Sequence, residues 1–170
     1  MSQIKWTERT FNFDFPAGLY PELIERLRGT PARIADRLAG IDPRRLNQRP
    51  GNSWSIQEHA GHLADLDEIL FMVRVEEYVR GAESLQAADM SNRTTEAANH
   101  NAKSLAEVLA HCRRTRAFLV EKLEHLDPAL FSRSAFHPRL KIQMRLVDLM
   151  SFQAEHDDHH LATISQILRG

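Results

Sequence analysis

Cysteine is almost absent from this sequence. A single Cys112 among 170 residues excludes an intramolecular disulfide and a cysteine-rich zinc site. Long apolar runs are missing as well: none approaches the ~20 residues that cross a bilayer, and Met1 to Phe15 holds no apolar segment of the signal-peptide kind. Neither sign of charge dominates. A formal net charge of −1 gives no footprint for nucleic acid or an anionic membrane. There is no glycine-rich phosphate loop and no Gly-x-Ser-x-Gly turn. His-Glu-x-x-His is missing, and no Glu is followed three residues later by His, which excludes the common zinc-protease helix and the di-iron carboxylate bundle. What these absences leave is one soluble, cytoplasmic domain over 1–170, with an arm at 1–15. Its expected partner is a small molecule, with no nucleic acid and no membrane.

What the chain does have is helical periodicity. Apolar residues Leu19, Leu23, Ile24, Leu27, Ile34 and Leu38 keep helical spacing. Thr30-Pro31 reads as a helix start with Thr as cap, and Gly40 as a stop. Asp42 to Asn52 reads as a loop. Ser55 and Glu58 form a capping box for a second helix running to about Arg80. Ala82 to Lys103 is a long polar connection, of a length often found lining a functional site. Ser104 and Glu107 open a third helix that ends near Leu126 and buries Cys112 as a small core residue. His137 to Ile142 reads as a loop, and a fourth helix runs from Met144 or Arg145 to Leu168. No strand alternation of any length is visible. The pattern predicts an all-α fold, an antiparallel four-helix bundle with long connections.

Nine histidines are an enrichment, and three fall between His156 and His160. His156 and His160 are four apart, so they share one face of a helix, and both lie on its apolar stripe. His62 lies on the apolar stripe of the second helix. Unpaired imidazoles on a buried face are costly, and a metal ion is the group that satisfies them. Three protein ligands leave a position open, the arrangement of catalytic zinc, and three imidazoles also accept nickel, iron or copper. Each ligand should hand its other ring N–H to an acceptor. For His62 the same-face candidates are Glu58 and Asp65. His59 and His159 lie off the metal-facing line, at its edge or on the surface, and His100, His111, His125 and His137 read as solvated.

Two stretches carry a resemblance. Gly51-Asn52-Ser53-Trp54-Ser55-Ile56-Gln57-Glu58-His59-Ala60-Gly61-His62-Leu63-Ala64-Asp65 and Glu155-His156-Asp157-Asp158-His159-His160-Leu161-Ala162-Thr163-Ile164 resemble the second-helix and last-helix signatures of the DinB/YfiT-like superfamily. The resemblance implies a four-helix bundle holding one divalent metal, zinc or nickel, on His62, His156 and His160. It also implies a tendency to form homodimers. Its members include metal-dependent transferases of low-molecular-weight thiols, mycothiol-dependent isomerases and metal-dependent hydrolases. The expected function is therefore a metal-dependent thiol S-transferase or hydrolase, with the metal activating a thiolate or water. In the hydrolytic version Asp65 or Glu58 is the candidate proton acceptor. The alternative is a non-catalytic metal-binding or stress-response interaction bundle.

Overall fold

The structure, a computed structural model, describes residues 3–170, so Met1 and Ser2 of the expected arm lie outside the described residues. Four helical legs form the bundle. The first is α1 (Tyr20–Arg28) followed by α2 (Thr30–Leu38). Gly29 between them stays right-handed, and Arg33 N–H bonds back to its carbonyl at 3.0 Å, so the chain turns from one helix into the next. Thr30 does not cap α2 as its position before Pro31 suggests. Its hydroxyl instead donates to Asp157 Oδ2 at 2.7 Å. The segment read as a loop contains one short helix, α3 (Pro43–Leu46), started by the Asp42 carboxylate accepting from Arg44 N–H.

The second leg begins at the capping box of Ser55 and Glu58. It runs as α4 (Ile56–Leu66), a five-residue π segment (Asp67–Phe71) and α5 (Met72–Val79). Gly81, at φ +73°, adopts the left-handed conformation that ends helices and that side chains resist. The long connection carries α6 (Arg93–Ala98) and a 3₁₀ turn at His100–Ala102. The third leg is α7 (Leu105–Glu124), opened by the box of Ser104 and Glu107, and the fourth is α8 (Leu146–Arg169). Between them the structure differs from the sequence reading. β1 (Ser134–His137) and β2 (Ile142–Arg145) form an antiparallel hairpin, with Ser134 opposite Arg145 and His137 opposite Ile142. Four residues per strand give too few alternations to register as a period. Among the described residues no helix is long and apolar enough to cross a membrane.

α4 packs on α7 and α8, and α1 packs on the same two helices. One apolar cluster centres on Leu27, Tyr78, Leu119 and Leu146, another on Ile34, Leu63, Val108 and Ile164. Cys112 belongs to the second, as its stripe position predicts, and burial pushes its thiol up to about 12, which makes it inert. The N-terminal arm is held down rather than loose: Trp6, Phe11 and Phe13 pack on the first cluster.

Among these apolar layers lies one buried charge network. Arg116 on α7 is 2 % exposed. Its guanidinium donates to Asp67 Oδ2 and Oδ1 at 2.8 and 3.1 Å, to Asp157 Oδ2 and Oδ1 at 2.5 and 3.1 Å, and to the Leu27 carbonyl at 2.8 Å. Thr30 and Gln153 donate to the same two carboxylates. Burial works against the Arg116 charge, but the two carboxylates outweigh it and hold the group above its ordinary value. One cation serves two acids, so burial leaves the Asp67 carboxyl above its usual range. Removing the cation strands both acids, and such losses cost ~3–5 kcal/mol. Arg116→Met should lower the stability to urea unfolding by about that amount, and Asp67→Asn by less. A loss of under about 1 kcal/mol in Arg116→Met would show that the network is not a structural tie.

Candidate metal centre

The capping box fixes where α4 starts and hence which residues face inward. Every residue from Ile56 to Asp65 is buried, and His62 sits on that segment at 4 % exposure. On α8, His156 and His160 are also buried. The three imidazoles meet: each offers one ring nitrogen, and these atoms lie within 4.8 Å of one another. His156 Nε2 and His160 Nε2 are 3.1 Å apart. Two imidazoles on a tetrahedral ion with 2.0–2.1 Å bonds sit about 3.3 Å apart at their nitrogens.

The outward nitrogens explain the orientation. His62 Nδ1 is 2.9 Å from the Thr95 hydroxyl, leaving Nε2 for the cluster. His160 Nδ1 is 2.8 Å from His59 Nδ1, again leaving Nε2. His156 Nδ1 is buried without a partner, with the edge of Trp6 at a centroid distance of 5.0 Å. Trp54 covers another side, 4.7 Å from the His62 ring, and its indole N–H is held by Glu96 at 2.6 Å. Burial, reinforced by the neighbouring histidines, pushes His156 and His160 well below the ordinary histidine value. Burial likewise takes His62 and His59 down to about 4. All four rings are neutral at pH 7, the form that binds metal. Three neutral Nε2 atoms cannot satisfy one another by hydrogen bonds alone, since a single shared proton serves only two of them. A divalent ion satisfies all three, so the donor set fits one.

The two carboxylates singled out in the sequence have other partners. Glu58 is not in the cluster. Its oxygens accept from Ser55 N–H and from the Arg49 guanidinium. Burial opposes its charge, yet Arg49 and the cap hold it below the usual carboxylate range. Asp65 does not touch His62 through a hydrogen bond. It accepts from the Thr95 hydroxyl at 3.1 Å and from His100 Nε2 at 2.8 Å, so the chain runs from His62 through Thr95 to Asp65. His100 and the Thr95 hydroxyl hold the Asp65 carboxyl low against the opposing effect of burial.

His100, read as solvated, is fully buried. Gly61 makes room for it: a Cβ there would lie 2.3 Å from the His100 ring. His137 is buried as well, whereas His125 is exposed and His111 half-buried. Of the two histidines placed off the metal line, His59 is a buried partner of His160, and the half-buried His159 is held by Gln3 at 2.8 Å. Thr95, His100, Trp6 and Trp54 escaped the sequence reading. Only Trp54, immediately before the capping Ser55, carried a local signal. Leu66, Leu70, Phe71 and Phe152 join His62 and His156 around a narrow cavity of ≈ 70 Å³, so the cluster has an open side.

Comparison with known proteins agrees with this architecture. A family model described as the DinB superfamily matches residues 26–164. Among solved structures, YfiT from Bacillus subtilis superposes with a TM-score of 0.80 at 18 % identity, over 95 % of this chain and 93 % of that one. It is described as a probable metal-dependent hydrolase with an unusual four-helix bundle topology. A second structure, described as a four-helix bundle protein, gives 0.63 at 22 % identity over 86 % and 98 % of the two chains. The mycothiol-dependent maleylpyruvate isomerase gives 0.68 at 13 % identity, over 91 % of this chain but 62 % of its own. At these identities the likeness is one of fold. No curated protein sequence matches the chain.

The neutral histidines set a pH dependence. The values of about 4 for His59 and His62 lie below the unfolded value of 6.5. The stability they confer is therefore fully present above about pH 6.5 and is lost as pH falls from there toward 4, by up to ~1.4 kcal/mol per pH unit for each proton taken up. Urea unfolding of the metal-free chain between pH 7 and 4.5 should show this fall, with a shallower slope in His59→Gln. Stability that stays flat or rises over that range would contradict neutral buried rings.

Proposed function

The chain belongs to the DinB superfamily, and from that premise we propose that His62, His156 and His160 hold one divalent metal, zinc or nickel, in an enzyme site for a small molecule. The observation that carries the reading is three buried, neutral imidazoles from two helices with ligand atoms within 4.8 Å, beside a cavity lined by two of them. A divalent ion bound there supplies Lewis acidity, making a thiol or a water nucleophilic near neutral pH.

The chain's own residues supply orientation and exclusion. His59 fixes the His160 ring, and Thr95, backed by Asp65 and His100, fixes the His62 ring. Trp6 and Trp54 shield the imidazoles from water on two sides. Asp65 is thus a positioning residue rather than a proton acceptor, and Glu58 holds the start of α4.

This assignment bears on the nucleophile. No carboxylate joins the histidine cluster among the described residues, and the nearby acids already accept hydrogen bonds. A thiol, with an ordinary pKa of ~8.5, needs only the metal to ionise, whereas attack by water gains from a positioned base. The donor set therefore favours transfer of a low-molecular-weight thiol to a small electrophile over hydrolysis. The description of one structural neighbour as mycothiol-dependent supports the thiol version. That of YfiT as a metal-dependent hydrolase supports the metal.

Elemental analysis of untagged protein should find about one zinc or nickel per chain. His62→Ala, His156→Ala and His160→Ala should each lose it and His125→Ala keep it. Thr95→Val should bind metal ~10–100-fold more weakly, since it removes the partner of a ligand. Full metal in two of the three alanine variants would refute the assignment. With the loaded protein, a small thiol should be consumed together with an activated electrophile. Electrophile hydrolysis at an unchanged rate without thiol would instead make water the nucleophile.

A further inference from the structure

The cavity beside His62 and His156 is built around positive charge. Arg74 on α5 is 1 % exposed, yet among the described residues no carboxylate lies within 4.0 Å of its guanidinium. Two of its donors go to the Gln86 carbonyl at 3.0 and 2.8 Å. Arg139 is half-buried and has neither an ion pair nor a hydrogen bond among the described residues. It lies over the faces of Trp6 and Phe152, 5.4 Å from each centroid. Glu77 acts on Arg74 only from beyond ion-pair distance, its oxygens accepting from Gln86 N–H and Arg80, and drawing two guanidinium groups from water without an ion pair is costly. Burial draws Arg74 down to about 10 and lowers Arg139 as well.

His137 adds a donor. Leu140 N–H donates to His137 Nδ1 at 3.2 Å, so the neutral ring carries its proton on Nε2. That nitrogen lies 3.2 Å from Arg74 Nη1. Two N–H donors thus face each other with no acceptor between them. The one acid lining the cavity, Asp89, is exposed and already accepts from Ser91 and Arg93.

We infer that this cavity is a carboxylate subsite: the small molecule acted on beside His62 and His156 carries a carboxylate that Arg74, Arg139 and His137 receive. A planar carboxylate accepts from a guanidinium fork and a neighbouring ring N–H together, and its charge supplies what the two arginines lack. The space next to Arg74 and His137 is narrow, ≈ 70 Å³, and a second cavity of ≈ 270 Å³ shares His62, Leu66 and Leu70 with it. The anionic end would enter the narrow part and the rest of a short substrate the wider one. Reaction of that molecule rests on the metal reading above, whereas anion capture by the arginines does not.

The test keeps the two apart. Butyrate and its neutral counterpart butanamide are titrated at constant ionic strength into the full chain, zinc-free and zinc-loaded, while the indole N–H resonance of Trp6 is followed by NMR. Butyrate should give a saturable shift with and without zinc. Butanamide should give none. Arg139→Gln, which removes no hydrogen bond, should weaken butyrate at least tenfold, and Arg74→Lys, which keeps the charge but not the fork, should weaken it as well. Butyrate that binds only with zinc, or equally in both arginine variants, would overturn the subsite, as would inorganic phosphate binding more tightly than butyrate. An unsubstituted chain that takes up no zinc yet binds butyrate would sink the metal reading and leave the subsite standing.

Discussion

A buried guanidinium shared between two carboxylates ties the bundle together. Arg116 reaches from α7 to Asp67 at the start of the π segment, to Asp157 on α8 and to the end of α1 through the Leu27 carbonyl. Thr30 brings in α2 by donating to Asp157. Each leg therefore contributes to one buried polar knot. Apolar surfaces alone tolerate small slips of one helix against another. A forked donor with fixed geometry does not, because a shifted acceptor leaves a charge unpaired. The network thus contributes to register as much as to stability.

That register is what the histidines need. Asp157 follows His156 directly, so fixing Asp157 against Arg116 fixes the rotation of α8 and the faces that His156 and His160 present. Asp67 lies just beyond Asp65 on the second leg, where the helix widens into a π turn. Single π turns of this kind are often found at functional sites. Here it changes the helical phase between α4, which offers His59, His62 and Asp65, and α5, which offers Arg74 and Tyr78. Both groups stay inside, and the histidine cluster and the arginine-lined cavity come to lie side by side.

Much of this was legible in the sequence, because it was local. The capping boxes at Ser55 and Ser104 set two helix starts within a residue, and the spacing of His156 and His160 put both on one face. The buried stripe around Cys112 was equally plain. What the sequence did not disclose depends on contacts distant along the chain. Thr30 looked like a cap because it precedes a proline, but a buried Asp157 competes for its hydroxyl. His100 and His137 read as solvated because they stand scattered, outside any apolar helical stripe, and only the folded connection and hairpin bury them. The sequence offers His62 only the carboxylates of its own helix, Glu58 and Asp65, as partners. The chain instead supplies Thr95 from the long connection, and Asp65 acts through it. The arginine-lined cavity joins residues from five separate segments, so no window of sequence contains it.

The proposed site requires three imidazoles, and no other side chain, to hold one metal with a position left open. X-ray absorption at the metal edge of the zinc-loaded chain tests it most directly. Three imidazole nitrogens are expected at about 2.0–2.1 Å with one exchangeable light-atom ligand, replaced by a sulfur at about 2.3 Å when a small thiol is added. A fourth imidazole from His59, or a shell of carboxylate oxygens, would contradict it.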